Sequence, residues 1–302
     1  MNCLRSLALL LFAVLLLASP SRAVAGEEAP LRGSCVPSET VLCLLNDRFS
    51  VEVAWEDFDE NTGLGQNLPL VIDDTTGFVW FTDAEKLELY LKVLDGTAIN
   101  GHFWVFYGAL SNWQYTVTVT DTVTSMQAVY TNPLGTFASS VDVRAFPEPA
   151  RSAPQPTSRA APLATARGPL TCVPDSTTLC LDSGRFQVEV DWRDFVGNTG
   201  DGAAIPVTDL SGLFWFFAAN NIDLAVKIFD GGDGNFWIFF GSTTEVEYTL
   251  TVTDVCTDTV RQYLNPLGTL TSGGDFMAFP VTPNCNAEIF SDSFESGDTT
   301  AW

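Results

Sequence analysis

The chain has 302 residues and a formal net charge of −23, from 37 acidic against 14 basic side chains. That balance argues against a nucleic-acid or anionic-membrane surface, because phosphate contacts need clustered Lys and Arg. It suits a solubilising surface or cation binding, and the length is sufficient for two cores.

Residues 1–25 read as a cleaved signal peptide. Arg5 gives a positive start, Leu7 to Leu17 is an apolar run, and Ala23-Val24-Ala25 has the small-x-small form of a cleavage site. The run is shorter than the roughly 20 residues of a membrane helix, so no membrane insertion is expected after cleavage. Removing Cys3 leaves six cysteines, at 35, 43, 172, 180, 256 and 285. An even count in an exported chain predicts three disulfides.

Cys35-Val-Pro-Ser-Glu-Thr-Val-Leu-Cys43, followed by Arg48-Phe-Ser-Val-Glu-Val-Ala-Trp55, recurs 137 residues later as Cys172-Val-Pro-Asp-Ser-Thr-Thr-Leu-Cys180 and Arg185-Phe-Gln-Val-Glu-Val-Asp-Trp192. This is an internal duplication. It predicts the pairs Cys35–Cys43 and Cys172–Cys180 as one staple used twice, which leaves Cys256 with Cys285. The expected division is a first domain over 31–147, a linker over 148–169, a second domain over 170–287 and a tail over 288–302. Pro147, Pro149, Pro154, Pro156, Pro162 and Pro169 make the linker an extended spacer, at most roughly 70 Å long at about 3.1 Å per residue.

Within each copy the strand signals are plain. Phe49, Val51, Val53 and Trp55 alternate with polar or small residues, as do Phe186, Val188, Val190 and Trp192. Gly77 to Phe81 and Gly212 to Phe216 follow, then the alternating runs Leu87 to Val93 and Leu224 to Ile228. Asp95-Gly96 and Asp230-Gly231 announce a hairpin into His102 to Phe106 and Asn235 to Phe239. Threonine-rich strands around Tyr115 to Val119 and Tyr248 to Val252 come next. Asn132-Pro-Leu-Gly135 and Asn265-Pro-Leu-Gly268 mark the last turn. Seven or eight short strands per copy, with no helical period, predict an all-β protein of two tandem antiparallel β-sandwiches, immunoglobulin-like or jelly-roll-like.

Trp104 and Phe106, with Trp237 and Phe239, lie on strands that are apolar on both sides. Such strands either pass under a covering segment or expose an aromatic patch. As a patch, these four residues with Asn100 and Asn235 are the candidate ligand-binding set. Asp57, Asp59 and Asn61 in the first copy, and Asp194, Asn198 and Asp201 in the second, place hard oxygen ligands in a glycine-ended loop and form the candidate calcium sites. His102, the one histidine, is answered by Asn235 in the second copy, which argues against a histidine dyad or zinc. Asp182-Ser183-Gly184 has no counterpart able to complete an aspartic-protease dyad and reads as a turn.

These motifs resemble a tandem β-domain repeat of secreted bacterial proteins, sometimes found beside peptidase domains. The shared elements are Arg-Phe-x-Val-x-Val-x-Trp at Arg48 to Trp55 and Arg185 to Trp192, Phe-Trp-Val-Phe or its variant at Phe103 to Phe106 and Phe236 to Phe239, Thr-Val-Thr-Asp at Thr118 to Asp121 and Thr251 to Asp254, and Tyr-x-Asn-Pro-x-Gly at Tyr130 to Gly135 and Tyr263 to Gly268. Ile228-Phe229 and Thr97 depart from it. Ile289 to Asp298 is similar to a terminal signature of exported gammaproteobacterial proteins. The resemblance implies export and modularity and carries no reaction.

The functional expectation is a secreted or periplasmic protein, on the cell surface or free, that is not an enzyme and that binds an extracellular polysaccharide or protein. A structural cell-surface or appendage role is the first alternative. The second is a carboxylate-based glycan hydrolase using Asp57, Asp59 or Glu60, which would need two carboxylates roughly 5–9 Å apart in a cleft.

Overall fold

The computed structural model describes residues 33–147 and 172–282. The expected signal peptide, spacer and tail, and Cys285, lie outside the described residues. The first copy contains β1 (Leu42–Leu44), β2 (Phe49–Glu56), β3 (Thr62–Leu64), β4 (Gln66–Asn67), β5 (Thr76–Trp80), β6 (Leu89–Gly96), β7 (His102–Ala109), β8 (Gln114–Asp121), β9 (Gln127–Asn132) and β10 (Ser139–Pro147). The four-residue helix α1 (Thr97–Asn100) stands between β6 and β7. The second copy repeats the plan with β11 (Leu179–Leu181), β12 (Phe186–Arg193), β13 (Thr199–Asp201), β14 (Ala203–Pro206), β15 (Ser211–Trp215), β16 (Ile222–Asp230), β17 (Asn235–Ser242), β18 (Glu247–Asp254), β19 (Thr259–Asn265) and β20 (Ser272–Pro280).

Each copy is two antiparallel sheets. The front sheet runs β1-β2-β8-β9, with β3 also paired to β2; the back sheet runs β10-β7-β6-β5-β4, and the second copy matches both. The tandem all-β sandwich is therefore the observed fold. Alternation places Phe49, Val51 and Val53, all at most 2% exposed, inside the first sandwich. Phe186, Val188 and Val190 do the same in the second. The front sheet thus has one dry face and one wet face.

Local devices are duplicated with the strands. Cys35–Cys43 and Cys172–Cys180 are disulfides, with Cα atoms 5.7 and 5.5 Å apart. Cys256 is also disulfide-bonded. Leu45, Asn46 and Asp47 take left-handed φ values of 50°, 54° and 61°, and Asp182, Ser183 and Gly184 take 52°, 55° and 83°. Three successive left-handed residues are unfavourable for L side chains. An aspartate from the loop before β5 or β15 receives them: Leu45 N donates to Asp74 O (2.7 Å) and Asn46 N to Asp74 Oδ2 (2.8 Å). Asp182 N and Ser183 N make the same bonds to Asp209. Asp182-Ser183-Gly184 is accordingly a turn. Behind it Arg48 forks onto Asp121 and Arg185 onto Asp254, both pairs buried. Each guanidinium also lies over a ring, Phe103 at 4.2 Å or Phe236 at 4.3 Å.

The back sheets are buried on both faces because they cover each other. Leu89, Leu91 and Val93 point into the first core, and Leu224, Val226 and Ile228 into the second. Between the sandwiches lies a third cluster, with Phe78, Leu87, Tyr90 and Leu110 from one side and Leu213, Ile222, Ala225 and Phe239 from the other. Both sandwiches belong to one compact unit beginning at Leu31. The apolar two-sided strands are thus covered by the other copy, an outcome that the reading of each copy by itself did not contain.

This contact has local two-fold symmetry. Phe78, Tyr90, Gly108 and Ser139 are successive cross-strand neighbours on one rung of the first back sheet. Leu213, Ala225, Gly241 and Ser272 form the equivalent rung of the second. Ser139 Oγ lies 2.5 Å from Ser272 Oγ, and the Tyr90 hydroxyl donates toward Gly241 O at 3.2 Å, so the two rungs lie along each other. On either side the charges exchange, as an isologous contact requires. Lys227 Nζ meets Glu88 Oε2 at 2.7 Å, while Lys92 Nζ donates to Asn221 Oδ1 (2.6 Å) and Ile222 O (2.9 Å) beside Asp223. Burial dominates these groups. It raises Asp223 to about 6, lowers Lys92 to about 8, raises Glu88 and lowers Lys227, each opposed by the facing charge.

Candidate functional site

The aromatic hairpins come first because the sequence pointed to them. Trp104 and Phe106 stand side by side on β7 with centroids 6.3 Å apart. The indole lies on Gly96, where a Cβ would sit 2.1 Å from the ring, and its Nε1 donates to Asn100 Oδ1 at 2.9 Å. Asn100 Nδ2 in turn donates to Val143 O at 2.7 Å. Its amide is therefore engaged in holding the Trp104 ring. His102 opens β7 with Nδ1 2.8 Å from Asn100 O.

On β17 the same two rings have different company. Phe239 is 4% exposed and packs on Phe229, Phe276 and, from the first copy, Phe137, with centroids 5.4–5.5 Å away. Trp237 is half-buried against Phe229 and Phe276, and its Nε1 is buried with no acceptor among the described residues. Asn235 reaches only toward Asp233, at 3.5 Å. Lys92 and Lys227 place their ammonium groups 5.3 and 5.2 Å from the centroids of Phe106 and Phe239. The hairpins therefore flank the contact between the sandwiches, and Phe239 is part of it.

The acidic loops are hairpin turns. Asp57 Oδ1 accepts from the backbone of Asp59 and Asn61, each at 2.9 Å, and Oδ2 from Asn61 Nδ2 at 2.9 Å. The Asn61 amide holds the Asp57 carboxyl below its usual range. Asp194 makes the same three bonds to Val196 and Asn198. These are Asx turns closing β2–β3 and β12–β13. Asp59 and Glu60 stand exposed at the tip. Asp201 lies on β13 opposite Asp191, outside the Asp194 turn. Among the described residues no group of three or more His, Cys, Asp and Glu is arranged to hold a metal ion.

The same hairpins carry a feature the sequence reading passed over. At each tip a phenylalanine is open to solvent, Phe58 at 56% and Phe195 at 63%. At each base the front sheet forms an open depression, of about 450 Å³ around Ala54, Glu56, Thr62, Leu64, Gln114 and Thr116, and of about 510 Å³ around Asp191, Arg193, Thr199, Asp201, Glu247 and Thr249. Trp55 or Trp192 lies beneath, each ring against a glycine, Gly63 or Gly200, whose Cβ would sit 2.5 or 2.7 Å from it. The two depressions differ in lining and charge, the first carrying Ala54 and Leu64 where the second carries Asp191 and Asp201. Gln114 Nε2 donates to Glu56 Oε2 at 3.1 Å in the first, while Arg193 Nη2 donates to Glu247 Oε2 at 2.6 Å in the second. Burial raises the Asp191 carboxyl, with the facing Asp201 adding to the effect. The available signal was Phe58 matching Phe195 in a tip where Asp59 faces Val196 and Glu60 faces Gly197. An identical apolar residue inside a variable turn is informative.

No helix among the described residues is long and apolar enough to cross a membrane. No family model matches the chain, and no curated protein matches it. Among solved structures the chain is aligned with the LG1-3 region of the laminin alpha2 chain at 6% identity and a TM-score of 0.10, over 80% of this chain and 57% of that one. A likeness of that size carries no argument about fold or function.

Proposed function

We propose that this is an exported, non-catalytic binding protein that takes an extracellular polysaccharide at the β2–β3 and β12–β13 hairpins. The observation that carries the reading is the duplication of one surface. In both copies an exposed phenylalanine tips the hairpin, and a depression holding two threonines and a glutamate beside a tryptophan opens at its base. Sugar rings combine an apolar face with a polar rim, and such a surface offers both. Two equivalent sites on one compact unit raise avidity without new contacts. The non-catalytic reading rests on the lack of a duplicated acid–base or nucleophile arrangement, and export rests on the pattern of residues 1–25 and the paired cysteines. The buried contact between the sandwiches supports a structural cell-surface role as the second reading, since it joins the aromatic hairpins to the fold.

Glycan-array binding and whole-cell capture with the parent and Phe58→Ala/Phe195→Ala proteins test this. The expected result is polysaccharide capture that falls at least tenfold in the double variant while the melting temperature moves by no more than about 2 °C, as for exposed substitutions. Capture of protein in place of glycan would replace the ligand class. Glycan binding that survives the double substitution would move the site elsewhere, and no capture by the parent would favour the structural role.

A further inference from the structure

We infer that Tyr90 is the key by which the back sheet of the first sandwich selects the second sandwich as its partner and rejects a copy of itself. The acid and lysine pairs by themselves do not discriminate, although Asn221, which accepts from Lys92 across the contact, is answered by Lys86 in the first copy. Each copy offers an acid and a lysine at equivalent positions, Glu88 and Lys92 or Asp223 and Lys227, so like–like pairing would also set lysine against carboxylate. Gly108 and Gly241, and Ser139 and Ser272, are identical on the two rungs and equally neutral.

Tyr90 breaks the equivalence. Its ring stands over Gly108, where a Cβ would be 2.4 Å away, and its hydroxyl crosses the contact to Asp223 O, Gly241 O and Thr243 Oγ1 at 3.2–3.3 Å. The equivalent residue is Ala225, cross-strand to Gly241, in the same buried cluster. Because the local two-fold runs along this rung, the residue facing Tyr90 is its own counterpart. On that symmetry the rung sets one large side chain against one small one within the shared buried cluster, as close packing requires. First copy against first copy would set two Tyr90 rings in that space and exchange the Thr243 hydroxyl for Leu110. Second against second would set two alanines there and leave the space of a ring empty. Both alternatives are penalised, by overpacking or by a cavity.

The test moves the key. Ala225→Tyr should part the sandwiches, seen as a larger radius of gyration in X-ray scattering and a melting temperature lowered by several degrees. Tyr90→Ala/Ala225→Tyr, which returns one ring to the rung from the opposite side, should recover the compact radius and most of the melting temperature. An Ala225→Tyr protein as compact and stable as the parent would overturn the inference. So would a double variant no better than Ala225→Tyr alone, because the loss would then be ordinary damage to β16.

Discussion

The first and second sandwiches share their turn and ion-pair devices, whereas at the contact between them Gly108 and Gly241, and Ser139 and Ser272, stay identical while Tyr90 and Ala225, and Phe78 and Leu213, differ. Arg48 and Arg185 fork onto Asp121 and Asp254, and Asn132 and Asn265 each donate to two carbonyls around the final turn. Across the contact, Tyr90 answers Ala225, Phe78 answers Leu213, and Phe137 reaches the Phe229, Phe239 and Phe276 group of the other copy. Elements that stabilise one sandwich meet the same demand twice and remain alike. At a two-fold contact small residues such as Ser139 and Ser272 can meet as equals, whereas a large ring such as Tyr90 needs a smaller residue in the other copy.

The largest test of this equivalence cuts the buried ion pairs. Asp254→Ala and Asp121→Ala each remove the carboxylate facing a buried guanidinium, and each should lower the unfolding free energy by about 3–5 kcal/mol. Denaturant titration checks this. A loss below about 1 kcal/mol in one copy alone would end the equivalence. Smaller is the staple. Replacing Cys35 and Cys43 by serine, or Cys172 and Cys180, opens a short loop and should lower stability by about 2–3 kcal/mol in either copy. Unequal losses in calorimetry would show that the two entrances differ in the unfolded or folded chain.

The smallest effect distinguishes the contact from the sandwiches. Asp223 is raised to about 6, so the native state holds its proton more tightly than the unfolded chain, and this contribution declines as pH rises from about 4 to about 6. Lys92 is lowered to about 8, so its contribution is regained as pH rises from about 8 toward about 10.5. The two together are least favourable between about pH 6 and 8. Melting temperatures across pH should show this dip in the parent and a flatter acid side in Asp223→Asn. An unchanged acid slope would place its origin elsewhere.

Much of each sandwich is legible in the sequence. Phe49, Val51 and Val53 alternate, the Cys–Cys spacing recurs and Asn-Pro-x-Gly marks the same corner twice, and all three depend on near neighbours in the chain. Phe239 was legible only as an apolar residue on a two-sided strand, with nothing to say what would cover it. Phe58 and Phe195 stand at matching loop positions without a periodic pattern to mark them, since exposure of a ring is a property of the surface around it.

What the amino-acid sequence alone determined, then, is the all-β duplicated plan, the two local disulfides and the turn at Asp182-Ser183-Gly184, because periodicity, spacing and left-handed backbone preferences act over short stretches. Only the tertiary structure decided that the back sheets close on each other, that Lys92 and Lys227 are buried beside Asp223 and Glu88, and that the Tyr90 hydroxyl crosses to Asp223 O and Gly241 O. Those facts arise between residues more than 100 positions apart. The energy that selects them is the burial of two apolar sheet faces together, which no single copy displays when read by itself.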